Sequence, residues 1–123
     1  MPATIIIGRE LSSIAPAAPP TLSSIERAAV QDAIRGARIH MHQLGVAARM
    51  ELVRDGAASC VLDIPRWDVG WQLFYRFAEP IAVEPGDQIR IRCTYDTSSQ
   101  SDAVEWGTST ADEMCIAYTF LAP

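Results

Sequence analysis

Two histidines separated by a single residue are the side chains of this sequence best suited to chemistry. They are His40 and His42, the only histidines among the 123 residues. In an extended strand, side chains alternate between faces, so Arg38, His40 and His42 would share one face. Ile39 and Met41 would take the other. Such a pair occurs in metal sites, and also on polar strand faces where the imidazoles are only hydrogen-bonded.

A stretch near the end of the chain offers a complementary ligand. Its sequence is Glu113-Met114-Cys115-Ile116-Ala117-Tyr118. Alternation places Met114 on the same face as Ile116, Tyr118 and Phe120. If the two strands are neighbours, two imidazoles and a thioether converge. Imidazole binds Cu(I) and Cu(II), thioether favours Cu(I), and three protein ligands leave a position for a small molecule. Met114 alone also fits a residue that fills a gap in the core.

Composition limits the classes of partner. The length is that of one domain, and 49% hydrophobic residues suffice for a full core. A net charge of −5 argues against nucleic acid and anionic membrane surfaces, which both favour basic patches. No apolar run reaches the roughly 20 residues that span a bilayer. No signal peptide is visible at the start. All ten basic residues are Arg, and Lys and Asn are absent, which indicates a high-GC, bacterial genome.

A period of two dominates from residue 37 onward. It predicts strands near residues 37–43, 47–54, 59–64, 71–77, 89–93 and 114–121, with the strand at 71–77 largely buried. Turns are predicted at Arg54-Asp55-Gly56 and at Glu84-Pro85-Gly86-Asp87. Seven or eight short strands separated by turns predict an all-β fold, an antiparallel β-sandwich (jelly-roll-like) or barrel.

The first 35 residues differ in character from the rest. The apolar and β-branched residues 3–7 are expected to form a strand, and the Ala- and Pro-rich residues 12–20 are expected to form a loop. Ser23 and Glu26 have capping-box spacing, and apolar residues follow at helical spacing, so a short helix over residues 24–34 is plausible, ended by Gly36. We therefore divide the chain into residues 1–35 and a sandwich at 36–123, packed as a single compact domain.

Other kinds of active site find little support. The sequence has no glycine-rich phosphate loop, and a triad would have to use His40 or His42, where nothing resembles a nucleophile elbow. The neighbouring carboxylates of Asp112 and Glu113 are expected to be solvated. Zinc on two cysteines and two histidines stays open by ligand type, although the cysteines are not closely paired. Three cysteines leave one over in any disulfide scheme.

The order and spacing of several short motifs resemble the C-terminal catalytic domain of copper type II, ascorbate-dependent monooxygenases. This is the family of the peptidylglycine α-hydroxylating and dopamine β-monooxygenases, and the resemblance covers about residues 36–123. The motifs are His40-Met41-His42-Gln43-Leu44-Gly45, Val53-Arg54-Asp55-Gly56, Val83-Glu84-Pro85-Gly86-Asp87, Cys93-Thr94-Tyr95-Asp96, Trp106-Gly107 and Asp112-Glu113-Met114-Cys115.

The resemblance implies roles for individual residues. The copper ligands would be His40, His42 and Met114. The substrate-binding residues would be Arg38 and Tyr118, and Arg38 could hold a carboxylate with both arms of its guanidinium. A disulfide would join Cys93 to Cys115, which implies an oxidising, secreted or periplasmic location. Cys60 is left as a core thiol.

The expected function is therefore a mononuclear copper domain that uses dioxygen to hydroxylate a C–H bond of a small-molecule or peptide substrate. Family enzymes hold a second, electron-storing copper on three further histidines, which this chain lacks. Electrons would come from ascorbate or from another protein or domain. Ile116 stands where the peptide-hydroxylating branch has Asn. Two alternatives remain: a copper carrier or electron-transfer module without turnover, and a metal-free interaction domain.

Overall fold

The chain folds into eight β-strands. The computed structural model describes the backbone of residues 3–8 and 21–24, and residues 32–123 with their side chains. The strands are β1 (Ala3–Gly8), β2 (Thr21–Ser24), β3 (Ala33–His40), β4 (Gly45–Arg54), β5 (Ala57–Ile64), β6 (Tyr75–Ala82), β7 (Gln88–Tyr95) and β8 (Ile116–Ala122). The described residues contain no helix, and therefore none long and apolar enough to cross a membrane.

The strands form two antiparallel sheets. One has the order β1-β8-β3-β6 and the other β2-β7-β4-β5. Apolar side chains from both sheets pack in one cluster between them, so the predicted all-β sandwich is confirmed. From residue 32 onward each sheet has three strands, to which β1 and β2 each add an edge strand. The strand β3 pairs directly with β8, as the proposed meeting of the two motif stretches requires.

The core selects one face of each strand. In β3 and just after it, Ile39 and Met41 are 1% and 0% exposed, whereas Arg38, His40 and His42 are half-buried. The alternation predicted for this stretch is therefore confirmed. In the opposite sheet Ile89 and Ile91 of β7 point into the same core. Side chains on the other faces of the strands remain at the surface, where they can meet a ligand.

Both predicted turns are present. Asp55 and Gly56 have φ angles of 50° and 79°, which is the positive-φ pair that a tight hairpin between β4 and β5 requires. Gly86 has φ 92° after Pro85, and the amide of Asp87 donates to the carbonyl of Glu84 at 3.1 Å. Proline followed by a positive-φ glycine is the pattern of a type II turn.

The predicted helix over residues 24–34 is wrong at both ends. Ser24 lies in β2, and Ala33 and Ile34 begin β3, while residues 25–31 lie outside the described residues. Ile34 is fully buried in the core. Pairing of β3 on both sides and burial of this side chain outweigh a helical spacing that rested mostly on alanines.

The buried strand predicted over residues 71–77 is also wrong in its first half. The strand β6 begins only at Tyr75. Trp71 is 69% exposed, and Leu73 and Phe74 are 46% and 49% exposed. The segment begins with a turn, in which the amide of Trp71 donates to the carbonyl of Asp68 at 2.9 Å, and its backbone does not join the sheet before Tyr75. Apolar side chains do alternate in this segment, but no strand among the described residues pairs with residues 71–74.

Cys60 is exposed, so its assignment to the core is wrong. It lies in β5, the edge strand of the second sheet, of which the first four residues are all exposed. The predicted disulfide between Cys93 and Cys115 is present, with 6.0 Å between the Cα atoms. Because Cys93 lies in β7 and Cys115 immediately precedes β8, the bridge links the two sheets.

Candidate metal centre

The two histidines meet at the end of β3. His40 is the last residue of that strand, and His42 lies in the connection to β4. Their ring centroids are 5.1 Å apart and the ring planes are inclined by 75°. Both imidazoles are half-buried, and at this distance they can coordinate one small ion between them.

The orientation of His40 is set by Gln72. The imidazole Nδ1 lies 2.6 Å from Oε1 of Gln72. The amide Nε2 of Gln72 donates to the carbonyl of Val69 at 2.9 Å, which identifies the atom facing His40 as the oxygen. Since that oxygen only accepts, Nδ1 of His40 carries the proton and Nε2 presents a lone pair. No sequence signal marked Gln72, because the segment that carries it is irregular.

His42 has the same arrangement with a different partner. Its Nδ1 lies 2.9 Å from the backbone carbonyl oxygen of Asp112, which again can only accept. The Nε2 lone pair of His42 is thereby exposed as well. No hydrogen bond to either Nε2 is formed within the described part of the chain. Metal-binding histidines usually donate their other ring N–H to such an acceptor, which fixes the tautomer and the ring orientation.

Glu113 connects the two motif stretches. Its side chain is fully buried, and Oε2 accepts hydrogen bonds from the amides of His42 at 2.8 Å and Met114 at 3.4 Å. Its Oε1 accepts from the amide of Leu44 at 2.6 Å. The prediction of a solvated carboxylate is therefore wrong for Glu113. Two of its three donors, the amides of His42 and Leu44, lie some seventy residues earlier, out of reach of any local pattern.

Met114 precedes β8 rather than lying in it, so strand alternation does not extend to this residue. Its backbone is held from three sides. Its amide shares an oxygen of Glu113 with His42, its carbonyl accepts from the hydroxyl of Tyr95 at 2.6 Å, and the disulfide at Cys115 follows. Burial, and secondarily the charge of Glu113, raise the pKa of Tyr95, so its hydroxyl remains a donor.

Arg38 and Tyr118 lie side by side on the outer face of the first sheet. They are register partners in β3 and β8, and the guanidinium carbon of Arg38 is 6.0 Å from the centre of the Tyr118 ring. The Nε atom of Arg38 is buried and has no hydrogen-bond partner in the described residues. A buried donor without a partner is costly, so an anionic ligand at this point would satisfy it.

A small cavity of about 120 Å³ opens beside His42. Its other lining residues are Gln43, Val69, Thr108 and Thr110. Within residues 32–123, no three side chains of His, Cys, Asp and Glu come together as a metal site. A three-ligand site at this place would therefore consist of the two imidazoles and a ligand of another type.

A family comparison agrees with the motifs. The sequence model of the copper type II ascorbate-dependent monooxygenase, C-terminal domain, matches residues 21–122. The match begins earlier than the motif resemblance, which started near Gly36, and it includes β2. It therefore takes in strands from both sheets of the sandwich.

Individual relatives are similar over most of this chain. Identity is 31% over 86 residues with DBH-like monooxygenase protein 1 of Gallus gallus, covering 69% of this chain and 14% of the relative. It is 29% over 91 residues with dopamine beta-hydroxylase of Canis lupus familiaris, covering 73% and 15%. It is 34% over 82 residues with peptidyl-glycine alpha-amidating monooxygenase A of Xenopus laevis, covering 66% and 8%. The chain thus spans only a small part of these relatives.

Proposed function

We propose a function from one premise: this chain belongs to the copper type II, ascorbate-dependent monooxygenase family, whose C-terminal domain model matches residues 21–122. The proposal is that Nε2 of His40, Nε2 of His42 and the thioether of Met114 bind one copper ion. The observation that carries it is the pair of hydrogen bonds in which both Nδ1–H groups donate to oxygen acceptors, which leaves both Nε2 lone pairs free.

The donor set fits copper better than zinc. Two neutral imidazoles suit either copper oxidation state, and a thioether adds preference for Cu(I). Zinc sites usually combine imidazole with thiolate or carboxylate. The described residues offer no such third ligand beside the two histidines. Glu113 is occupied by three backbone amides and serves instead to keep the His42 and Met114 backbones together.

The remaining residues have roles in holding the site and the substrate. Gln72 and the carbonyl of Asp112 keep the imidazoles oriented, and Arg38 with Tyr118 binds an anionic group of a small-molecule or peptide substrate. Copper, when bound, supplies dioxygen activation for C–H hydroxylation. The electrons come from ascorbate or from an electron-donating protein or domain. The small cavity at His42 gives a small molecule access to the ligand face.

A second candidate function is copper binding without turnover, as in a carrier or an electron-transfer module. The observation that bears on it is that both histidines of the sequence are assigned to one copper ion, so a second, electron-storing copper would need histidines from elsewhere. A metal-free interaction domain is the third possibility. The disulfide supports placing the chain in an oxidising compartment, secreted or periplasmic.

The test is copper binding under ascorbate. Wild type should retain about one equivalent of copper per chain by metal analysis, and the His40→Ala/His42→Ala double variant should retain almost none. Gln43→Ala is the matched control, because Gln43 lines the same small cavity but is not a proposed ligand. If wild type binds no copper, the proposal fails and the metal-free interaction domain takes its place.

Met114 is tested separately by Met114→Ile. The variant should lose about tenfold or more in Cu(I) affinity and much less in Cu(II) affinity, because thioether is the soft ligand. Equal losses for both oxidation states would show that Met114 only packs. With copper bound, hydroxylated product formed under ascorbate and O₂ distinguishes the monooxygenase from the carrier.

A further inference from the structure

A second cavity, of about 430 Å³, lies on the outer face of the first sheet. Its origin is an irregular pairing of β3 with β6. Ile34 pairs with Ile81 and Gly36 with Arg76, so four residues of β6, 77–80, face the single residue Arg35. Arg35 is also an extra residue against β8, where Ile34 and Gly36 pair with consecutive residues. Such bulges often redirect side chains at binding sites.

The charged side chains that line the cavity are all basic, although the protein as a whole carries −5. Arg35 and Arg76 both line it, and no acidic residue does. The Nε and Nη2 atoms of Arg35 donate to the carbonyl of Pro123 at 3.1 and 2.5 Å, which holds this guanidinium in place. Arg76 has no hydrogen bond or ion pair within the described part of the chain, and its five donors are available to an anion.

Aromatic rings supply the rest of the wall. Phe74, Phe77 and Phe120 line the cavity, and the rings of Phe74 and Phe120 meet edge to face with centroids 6.5 Å apart. The ring of Phe74 lies on the backbone of Gly36, where an added Cβ would be 2.7 Å from a ring carbon. Only glycine permits this contact. Phe74 is thereby held against β3 as part of the cavity wall.

We propose that this cavity binds a small organic carboxylate with an aromatic body. The guanidinium of Arg76 holds the carboxylate, and the three phenylalanine rings hold the body. A planar guanidinium matches the two oxygens of a carboxylate. Sites built for phosphate usually add several backbone N–H groups, often at a helix N-terminus, whereas this cavity is lined by strand residues and by Phe74, and by no helix.

The site goes beyond the copper proposal and does not depend on it. Gly36 lies four residues before His40, which corresponds to roughly 13 Å along an extended strand. Neither histidine lines the cavity. Binding can therefore be measured on copper-free protein, and the His40→Ala/His42→Ala variant should bind the same ligand as wild type does.

The experiment is an NMR titration of copper-free protein with 3-phenylpropionate. Backbone amide signals of Phe74, Arg76, Phe77 and Phe120 should shift and saturate, with a dissociation constant on the order of 1 mM for a ligand of this size. Arg76→Gln should raise that constant at least about tenfold, because a charged hydrogen-bond donor is lost. Arg92→Gln, an exposed arginine in β7 of the other sheet, makes the same change in net charge and should have little effect.

Four results would overturn ligand binding at this cavity, and a fifth would reassign the anion. The four are the absence of saturable shifts, equal binding of the uncharged 3-phenylpropan-1-ol, shifts centred on Arg38 and Tyr118, and equal losses in the two arginine variants. Tighter binding of phenyl phosphate than of 3-phenylpropionate would reassign the anion to phosphate and overturn the choice of carboxylate. If wild type turned out to bind no copper, these results would keep their meaning, because the titration uses copper-free protein.

Discussion

Glu113 makes the most connections of any single residue at the candidate metal centre. It is fully buried and accepts three backbone hydrogen bonds, from His42, Leu44 and Met114. A buried carboxylate is stable only when such donors replace its lost water. The same three bonds fix the backbone beside two of the proposed copper ligands. One side chain therefore contributes both to folding and to the geometry of the site.

Glu113→Gln should destabilise the protein by about 2–4 kcal/mol, because the amide keeps only one acceptor oxygen and turns an N–H₂ group toward backbone donors. Urea unfolding followed by tryptophan fluorescence measures the change. Glu105→Gln is the control, since Glu105 is exposed and its side chain makes no hydrogen bond within the described residues. A loss for Glu113→Gln within 0.5 kcal/mol of the control would contradict the role assigned to these bonds.

At the residue scale, the sequence predicted which side chains of β3 lie on the outer face and which lie in the core, because this follows from strand alternation. It placed Arg38 and His40 on the outer face and Ile39 in the core, because one strand with one buried face fixes every second side chain. It did not predict Glu113 or Gln72, since their partners are distant in sequence and no periodicity links them. The ligand roles of His40, His42 and Met114 remain predictions.

At the scale of elements, an ion pair between the buried Asp87 and the partly exposed Arg54 anchors the turn between β6 and β7. Asp87 is 2% exposed, and its two oxygens accept from Nε and Nη2 of Arg54 at 2.9 and 2.7 Å. One oxygen also accepts from the amide of Glu84 at 2.7 Å. Arg54 is the last residue of β4, so this pair fixes the end of one hairpin to the start of β7. Hydrogen bonding to Arg54 lowers the pKa of Asp87.

Asp87→Asn should lower the free energy of unfolding by about 2 kcal/mol at pH 7, through the loss of charge-assisted hydrogen bonds. Because the folded-state pKa is depressed, this contribution is complete above the unfolded-state pKa of about 3.9 and is lost as the pH falls through the folded-state value. The difference in stability between wild type and Asp87→Asn should therefore be flat from pH 7 to 5 and shrink below pH 4.

The control for this prediction is Asp63→Asn. Asp63 is half exposed and lies 3.5 Å from Arg49, and exposed pairs contribute little. It should change the stability by less than about 0.5 kcal/mol at any pH. A difference between wild type and Asp87→Asn that stays constant down to pH 2 would show that the carboxylate charge is not what stabilises the turn.

The strands were predicted where a segment with a period of two also pairs with a neighbouring strand, and a false strand was predicted where such a segment has no pairing in the described residues. The strands β3, β4 and β7 have a clear period of two, and each has neighbours on both sides. Residues 71–74 have the same period but no pairing partner, so their apolar side chains lie on the surface. Cys60 was misplaced for a related reason, since nothing local distinguishes an edge strand such as β5 from a central one.

At the scale of the whole molecule, the disulfide is the covalent link between the sheets. It joins β7 to the segment before β8 across a sequence separation of 22 residues. Two further interactions connect the same two segments. The hydroxyl of Tyr95 donates to the carbonyl of Met114, and both cysteines pack against the core. The position of Met114 thus depends on how the two sheets are joined as well as on the segment that precedes β8.

Reducing the bridge should lower the free energy of unfolding by about 3 kcal/mol, because the unfolded chain regains the freedom of the opened loop. The measurement is urea unfolding of oxidised and reduced protein, with Cys60→Ser as the control in both states. Cys60 is exposed and unpaired, so this variant should match wild type, and any larger effect would indicate thiol exchange. Equal stability of the oxidised and reduced forms would mean that the sandwich is held by its core alone.

Reduction should also weaken Cu(I) binding through Met114. That comparison must use ascorbate as the copper reductant, because a thiol would open the bridge and compete for the metal.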